Sequence, residues 1–293
     1  MFDNRQLATL VLLGVFLAWA LTKRSVRGST FSVLRALASP KVLVPFLLYG
    51  LWLVGLHWLS WQVGLWNTRL VGESMFWAAV SGFALLTLAA TDAGKKDNFF
   101  RKRTVDTLKF GAFFEFFLNI KSLSLLGELL LQPIIALLAG ARTLAAHDDK
   151  YASTRKLLDV VLSLVTLGLV IHTVVFLVQD WPQVDKGQEW RKLLMPFWLT
   201  LGTMPFAFVF ALIASYGVVF ARMKATTGLQ RTSLKSRLGV IFALRAQLLD
   251  LHSFGGRHAW QAGRANTVKG GLEAVRVFKA ERAAKKAEEQ AQQ

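Results

Sequence analysis

The chain has 293 residues, of which 54% are apolar, and it carries a formal net charge of +17. This apolar content excludes an ordinary soluble domain, so we predict an all-α, polytopic helical membrane protein. The sequence contains no cysteine, which excludes disulfide bonds, thiol catalysis and thiolate metal sites. Part of the positive charge is expected from cytoplasmic loops that hold Lys and Arg.

Five apolar runs are long enough to cross about 30 Å of hydrocarbon at a rise of about 1.5 Å per residue. These runs lie at about 6–22, 42–66, 74–91, 157–179 and 193–221. The first run is not read as a signal peptide, because Lys23, Arg24 and Arg27 follow it without a small-residue cleavage site. We therefore predict an uncleaved first span and a transmembrane domain over residues 1–221.

The charges of the connecting loops predict the orientation of the chain. Loops 23–41 and 92–109 are rich in Lys and Arg, whereas loops 67–73 and 180–192 carry nearly balanced charges. Because cytoplasmic loops carry the excess of Lys and Arg, the first two loops are predicted to face the cytoplasm. Tryptophans gather at the outer ends of the spans, where indole favours the interface. The sequence thus predicts a bacterial inner-membrane protein with its N-terminus outside and its C-terminus in the cytoplasm.

Residues 104–145 are strongly apolar but have basic residues on both sides, so both ends are expected in the cytoplasm. Such a segment is a pair of spans, a re-entrant hairpin or two helices lying in the interface. We favour a helical hairpin that turns near Lys121 and Ser122. The reason is that both arms, 110–119 and 125–141, are short for a perpendicular crossing.

Polar residues recur about every four positions along both arms, a spacing that keeps them on one helix face. Glu115 and Asn119 mark the first arm, and Glu128 and Gln132 mark the second. Ionisable groups inside a membrane are costly and usually face a cavity or a partner, so these residues are candidates for an ion path. The alternative interpretation is that they hold the two arms together.

The following span carries a polar seam that extends this candidate ion path. Its members are Asp159, Ser163, Thr166 and Thr173. Residues of this kind at helical spacing also occur in ordinary packing between transmembrane helices, which is the alternative. His57 and His172 are single histidines, and we interpret each as a hydrogen-bonding residue, so we predict no metal site.

Residues 222–293 are predicted to form a basic cytoplasmic tail, with fourteen Lys and Arg against five Asp and Glu. Apolar residues at helical spacing over 229–251 predict a basic amphipathic helix, followed by a flexible glycine-rich stretch and a last helix from about Leu272. Cations beside an aromatic residue suit a nucleotide or nucleic acid, and anionic lipid headgroups are the alternative. The candidate residues for an anionic ligand are Arg231, Lys235, Arg237, Arg245, Arg257, Trp260, Arg264 and Lys269.

The sequence contains no phosphate-binding loop, no HExxH motif and no GxSxG elbow, so we predict neither an enzyme nor a cofactor. As a class, this layout resembles the membrane effectors of bacterial antiphage systems. From the candidate ion path and the charge of the tail we predict a homo-oligomeric channel in the lipid bilayer that is gated by an anionic cytoplasmic ligand. The resemblance implies that this ligand is a nucleotide or nucleic acid. One alternative is a non-conducting scaffold or assembly subunit whose tail binds anionic lipid and a partner protein. Another is a transporter of a small anion.

Overall fold

The computed structural model describes residues 3–107, 122–180, 182, 185–228 and 232–291. Every regular element in these residues is helical, which confirms the predicted all-α class. The α-helices in this part of the chain are α1 (Asn4–Thr22), α2 (Arg24–Leu37), α3 (Pro40–Gln62), α4 (Val71–Trp77), α5 (Phe83–Asp92), α6 (Phe99–Thr107), α7 (Leu125–Ala145), α8 (Ala152–Asp180), α9 (Lys186–Thr227), α10 (Leu234–Leu244), α11 (Leu248–Ser253), α12 (Gly256–Arg264) and α13 (Val268–Ala291).

Six helical segments are long and apolar enough to cross a membrane. They are Asn4–Thr22, Leu43–Gln62, Thr68–Asp92, Leu125–Ala145, Ala152–Phe176 and Lys186–Thr227. Five of them overlap the apolar runs of the sequence. The segment Thr68–Asp92 is not one regular α-helix, since a 3-10 turn precedes α4 and a π-helical turn over Ala78–Gly82 separates α4 from α5. The Tyr49 hydroxyl donates a hydrogen bond to the Ala78 carbonyl at 3.4 Å.

The remaining segment is α7, which is longer than the hairpin arm 125–141 that we expected. It has 21 residues, which gives a length of about 31 Å, enough for a crossing. The predicted arm ended at Ala141, before the basic residue Arg142, but α7 continues through Arg142, whose side chain is paired with Asp159. The first arm, 110–119, and Lys121 at the turn lie outside the described residues.

The chain forms two compact units, which divide it differently from the boundary that we placed after residue 221. The first unit is Met1–Ala79 with Thr107–Thr200, and the C-terminal unit is Val80–Asp106 with Leu201–Gln293. The helix α9 is continuous through both, with 42 residues. Its last turns are therefore part of the same compact unit as the tail.

Three helices of the first unit pack side by side. The helices α1 and α7 run in the same direction, because Arg5 contacts Glu128 and, one turn later, Thr9 contacts Gln132. The helix α8 runs in the opposite direction, because Asp159 near its start is paired with Arg142 near the end of α7. These contacts pair the start of α1 with the start of α7, and the end of α7 with the start of α8.

The C-terminal unit is a packed bundle rather than an amphipathic helix with a flexible extension. The predicted helix over 229–251 is interrupted after Leu244, where Arg245 adopts a φ of +50°. The stretch that we expected to be flexible contains α12, and the last helix begins at Val268 rather than near Leu272. Two glycines of this stretch, Gly263 and Gly271, lie at close helix contacts.

Two glycines let α10 and α13 cross at very short range. A Cβ at Gly239 would overlap the Val268 carbonyl, and a Cβ at Gly271 would overlap the Ser236 carbonyl. Gly263 of α12 makes a similar approach to α9, where a Cβ would lie 2.8 Å from the Met223 carbonyl oxygen. The bundle buries an apolar core between these helices, whose most buried members include Val219, Met223, Val240, Leu244, Leu251, Phe254, Ala259, Ala262 and Val275.

Candidate functional site

The carboxylate that we placed in an ion path is buried between α1 and α7. Only 1% of Glu128 is exposed. One of its oxygens accepts hydrogen bonds from Arg5 Nε at 3.2 Å and from the Leu123 backbone N–H at 3.1 Å. The other accepts from Gln132 Nε2 at 3.2 Å. Because both oxygens are engaged, Glu128 is committed to contacts inside this chain.

Gln132 extends this arrangement by one turn of α7. Its Nε2 also donates to the Arg5 carbonyl at 2.9 Å, and its Oε1 accepts from the Thr9 hydroxyl at 3.0 Å. We call Arg5, Thr9, Glu128 and Gln132 the α1–α7 cluster. It supports the interpretation that the polar residues join helices, but the partner helix is α1. Sequence reasoning missed Arg5 and Thr9, although their spacing of four was a signal.

The start of α1 is capped by its own side chains and adds two contacts that hold it against the start of α7. Asp3 is the N-cap of α1, in a reciprocal capping box with Gln6. Asn4 Nδ2 donates to the Leu123 carbonyl at 3.1 Å, and the Ser122 hydroxyl donates to Asp3 Oδ1. The two helix starts are therefore fixed by side chains as well as by the cluster.

The predicted seam of α8 is not joined to the α1–α7 cluster. Asp159 forms an ion pair with Arg142, which lies fourteen positions, or about 21 Å, along α7 from Glu128. Ser163 and Thr166 are exposed, and their hydroxyls donate to carbonyls four residues earlier. Thr173 is buried and does the same. The described candidate ion-path residues thus lie at separate positions along the helices. Glu115 and Asn119 lie outside the described residues.

A second ionic cluster of the first unit was not singled out in the sequence. Lys192 of α9 lies 2.9 Å from a Glu189 oxygen and 3.8 Å from a Glu73 oxygen. In the same region Asn67 donates to Gln188 at 2.8 Å. The balanced charges of loops 67–73 and 180–192 were the available signal, since opposite charges in two loops can pair.

His57 hydrogen-bonds through one ring nitrogen, and its buried Nε2 has no hydrogen-bond partner among the described residues. Its Nδ1 lies 2.7 Å from the Leu53 carbonyl oxygen. Its ring meets the rings of Trp66 and Trp198 edge-on, with centroids 5.2 and 5.5 Å away. The residue therefore holds a tryptophan-rich part of the first unit together.

Several candidate ligand-binding cations of the C-terminal unit have structural contacts. Arg257 forms an ion pair with Glu281 across α12 and α13. Arg237 donates to the Thr232 hydroxyl at 2.8 Å and lies 5.2 Å from the Phe220 ring centroid. The Arg264 guanidinium lies over the Trp260 ring at 4.7 Å. These cations stabilise helix packing or are stacked on an aromatic ring.

Three other candidates remain open to solvent. Lys235, Arg245 and Lys269 are exposed, and none of them has an acidic partner within the described part of the chain. Trp260 is 40% exposed beside Arg264. Arg231 lies outside the described residues. The cations available to an anionic ligand are thus a subset of those that the sequence suggested.

Three cations that we did not select tie the C-terminal unit together. Arg222 donates to the His252 carbonyl at 2.6 Å and to the Phe254 carbonyl at 3.0 Å. Lys279 and Arg282 both pair with Asp250. Because their charged groups are engaged within the bundle, these residues stabilise it and contribute less to the positive charge of its surface.

No family model matches this chain, and neither the curated proteins nor the solved structures contain a match to it. We therefore infer the function from the contacts and charges of the described residues.

Proposed function

We propose that this chain is a membrane scaffold whose C-terminal unit binds anionic lipid and holds a partner protein at the cytoplasmic face. The observation that carries the proposal is a folded helical bundle whose exposed cations include Lys235, Arg245, Arg264 and Lys269. A basic residue close to an anionic leaflet contributes about 1 kcal/mol of attraction. A bundle presents such cations in fixed positions, which suits docking better than a flexible tail does.

The polar contacts of the first unit favour a scaffold over a channel. An ion path needs polar groups that face water or a permeating ion. Glu128 and Gln132 instead bond to α1 and to each other. Asp159 is neutralised by Arg142. These side chains act as helix-to-helix contacts within one chain.

One observation favours a second candidate, the ligand-gated oligomeric channel. Ser163 and Thr166 lie on an uncovered face of α8, together with the half-exposed Asp159. A polar face in a candidate span is better accommodated by a second copy of the chain or by water than by lipid. In a homo-oligomer, copies of this face would surround a path, and a nucleotide or nucleic acid on the basic bundle would control it.

The two candidates are separated by measuring ion flux and lipid preference on the same reconstituted protein. We expect no flux through liposomes with or without short oligonucleotides, at low and at high salt. We also expect spin-labelled phosphatidylglycerol to associate with the protein more than phosphatidylcholine does. The triple variant Lys235→Gln, Arg264→Gln, Lys269→Gln should weaken this preference, by up to about fivefold for each cation that contacts the leaflet.

The matched control removes three exposed cations of the first unit, in the variant Lys150→Gln, Arg155→Gln, Lys156→Gln. Equal loss of preference in both variants would mean that total charge, not the C-terminal unit, attracts the lipid. Oligonucleotide-dependent flux that weakens at high salt would replace the scaffold with the gated channel.

A further inference from the structure

The C-terminal unit contains a groove that the candidate residues of the sequence did not include. It has a volume of about 450 Å³ and lies between the segment that follows α5 and the turn between α10 and α11. One wall is formed by Lys96, Asn98 and Arg101. Gln247, Leu249 and Asp250 line the groove from the second segment. We call this cavity the α5–α11 groove.

The charges around the groove are positive on balance. Asp250 is neutralised by two cations, Lys279 and Arg282. Lys96 shares Asp92 with Lys95, and its side chain remains 64% exposed. Arg101 is exposed, and within the described residues no acidic side chain pairs with it. An anion would therefore meet attraction at the Lys96 and Arg101 wall.

The floor of the groove is apolar. Ala93, Phe99 and Leu248 line it, and each is largely buried. A groove with an apolar floor and a basic wall matches a ligand that combines an anionic group with a hydrocarbon chain. A small hydrophilic anion would leave the floor uncovered.

The position of the groove in the chain favours a lipid as this ligand. Asp92 is the last residue of the candidate span Thr68–Asp92, and the lining of the groove begins at the next residue. The end of a span lies at the level of the headgroups, where anionic lipids attract Lys and Arg. A phospholipid at this level reaches the basic wall with its phosphoryl group and the floor with a chain.

The backbone beside the groove adds an independent observation. Within the described part of the chain, the non-glycine residues with positive φ are Asn98 at +55° and Arg245 at +50°. Asn98 lines the groove, and Arg245 directly precedes Ala246, which also lines it. Non-glycine residues held at positive φ concentrate at binding sites, where the surrounding structure maintains the strain.

We propose that the α5–α11 groove binds one anionic phospholipid, with the phosphoryl group at Arg101 and Lys96 and an acyl chain along Ala93 and Leu248. The proposal rests on the proposed lipid-binding role of the C-terminal unit, and it assigns that role to a specific, shaped site. The attraction between surface cations and the leaflet depends on how many cations there are. Binding in the groove depends instead on the positions of Arg101 and Lys96.

The test is native mass spectrometry of the full-length protein in detergent, titrated with phosphatidylglycerol or phosphatidylcholine. We expect one retained phosphatidylglycerol per chain. Arg101→Gln should lower its retention about fivefold. The matched control Lys102→Gln removes an exposed cation from the same helix, but Lys102 does not line the groove, so retention should stay unchanged. Equal retention in the two variants would overturn the proposal.

A second variant tests the shape of the site without changing its charge. Ala246→Trp places a large ring at the groove, on an exposed residue, and should abolish retention in protein with unchanged helical content and monodisperse elution. Retained lipid in this folded variant would overturn the proposal. So would displacement by millimolar glycerol 1-phosphate or ATP, because the occupant would then be a soluble phosphate.

The groove proposal and the scaffold proposal would be contradicted by different results. The variant Lys235→Gln, Arg264→Gln, Lys269→Gln should keep the retained lipid, since none of these residues lines the groove. The protein could retain no phosphatidylglycerol and still keep a general preference for this lipid that Arg101→Gln leaves unchanged. That result would disprove the groove proposal and leave the scaffold proposal standing.

Discussion

Glu128 shows how one carboxylate can hold two transmembrane helices together. Its partners are a guanidinium, a backbone N–H and a side-chain amide. Such a group is costly to bury, and its stability depends on all of its partners being in place. The residue is therefore a structural contact between α1 and α7.

We expect Glu128→Gln to destabilise the first unit by about 3 kcal/mol, because it breaks the Arg5–Glu128 ion pair in a largely buried setting. The measurement is thermal unfolding of the purified protein in detergent. The double variant Arg5→Gln, Glu128→Gln should recover part of the loss, since it removes both members of this ion pair. As a control, Ser163→Ala should change stability little, because its hydroxyl is exposed. Equal stability of Glu128→Gln and the natural protein would contradict this role.

Arg245 occupies a backbone conformation that suits glycine. It follows α10 in a turn closed by a hydrogen bond from the Gln247 N–H to the Leu244 carbonyl at 3.2 Å. An arginine with positive φ costs about 1 to 2 kcal/mol relative to a residue without this strain. The Tyr216 hydroxyl helps to fix the turn by donating to the Arg245 carbonyl at 2.6 Å.

We expect Arg245→Gly to raise the stability of the C-terminal unit by about 1 kcal/mol and to weaken its preference for anionic lipid. Limited proteolysis measures the first effect, and spin-labelled phosphatidylglycerol measures the second. Lys235→Gln is the control, because it removes an exposed cation without changing a strained residue. A variant with lower stability would show that the turn does not store this strain.

The crossing of α10 and α13 is the element on which the C-terminal unit depends. Each helix brings a glycine to the contact, Gly239 and Gly271, and the facing backbone occupies the space of the missing side chains. Ser236 adds a hydrogen bond from its buried hydroxyl to the Ala262 carbonyl. Close approach of this kind requires the absence of a Cβ, whatever the backbone angles are.

Gly271→Ala should force α10 and α13 apart and destabilise the C-terminal unit by about 2 to 3 kcal/mol, in the range of an overpacked core. The rate of proteolysis within residues 232–291 measures this effect. Gly217→Ala is the matched control, because a Cβ there meets nothing within 4 Å and alanine favours a helix. Equal proteolysis of the two variants would contradict the close crossing.

Hydropathy predicted most of the elements that could cross a membrane, because an apolar run of about 20 residues is a direct requirement of the bilayer. It underestimated α7, since Arg142 reads as the end of the apolar arm until its partner Asp159 is known. The role of the glycines was also hidden. A glycine permits both a flexible linker and a close helix crossing, and only the facing residue distinguishes them.

On the scale of the whole molecule, the two compact units do not follow the boundary between the apolar and the basic parts of the sequence. The last turns of α9 pack with the tail through Tyr216, Arg222 and Met223. The amino-acid composition changes near residue 222, but the packing contacts between helices continue across this position. The α5–α11 groove was missed for a similar reason, because Lys96 and Arg101 were read only as indicators of loop orientation.

The α1–α7 cluster also sets an order of events during synthesis of the chain. Arg5 and Glu128 are 123 positions apart, so at about 5 to 20 residues per second the ribosome needs about 6 to 25 s to supply the partner. During that interval the contact between Arg5 and Glu128 cannot form. Only after α7 has been made can the Arg5 guanidinium reach the Glu128 carboxylate. The earliest part of the protein to emerge is thus among the last to become complete.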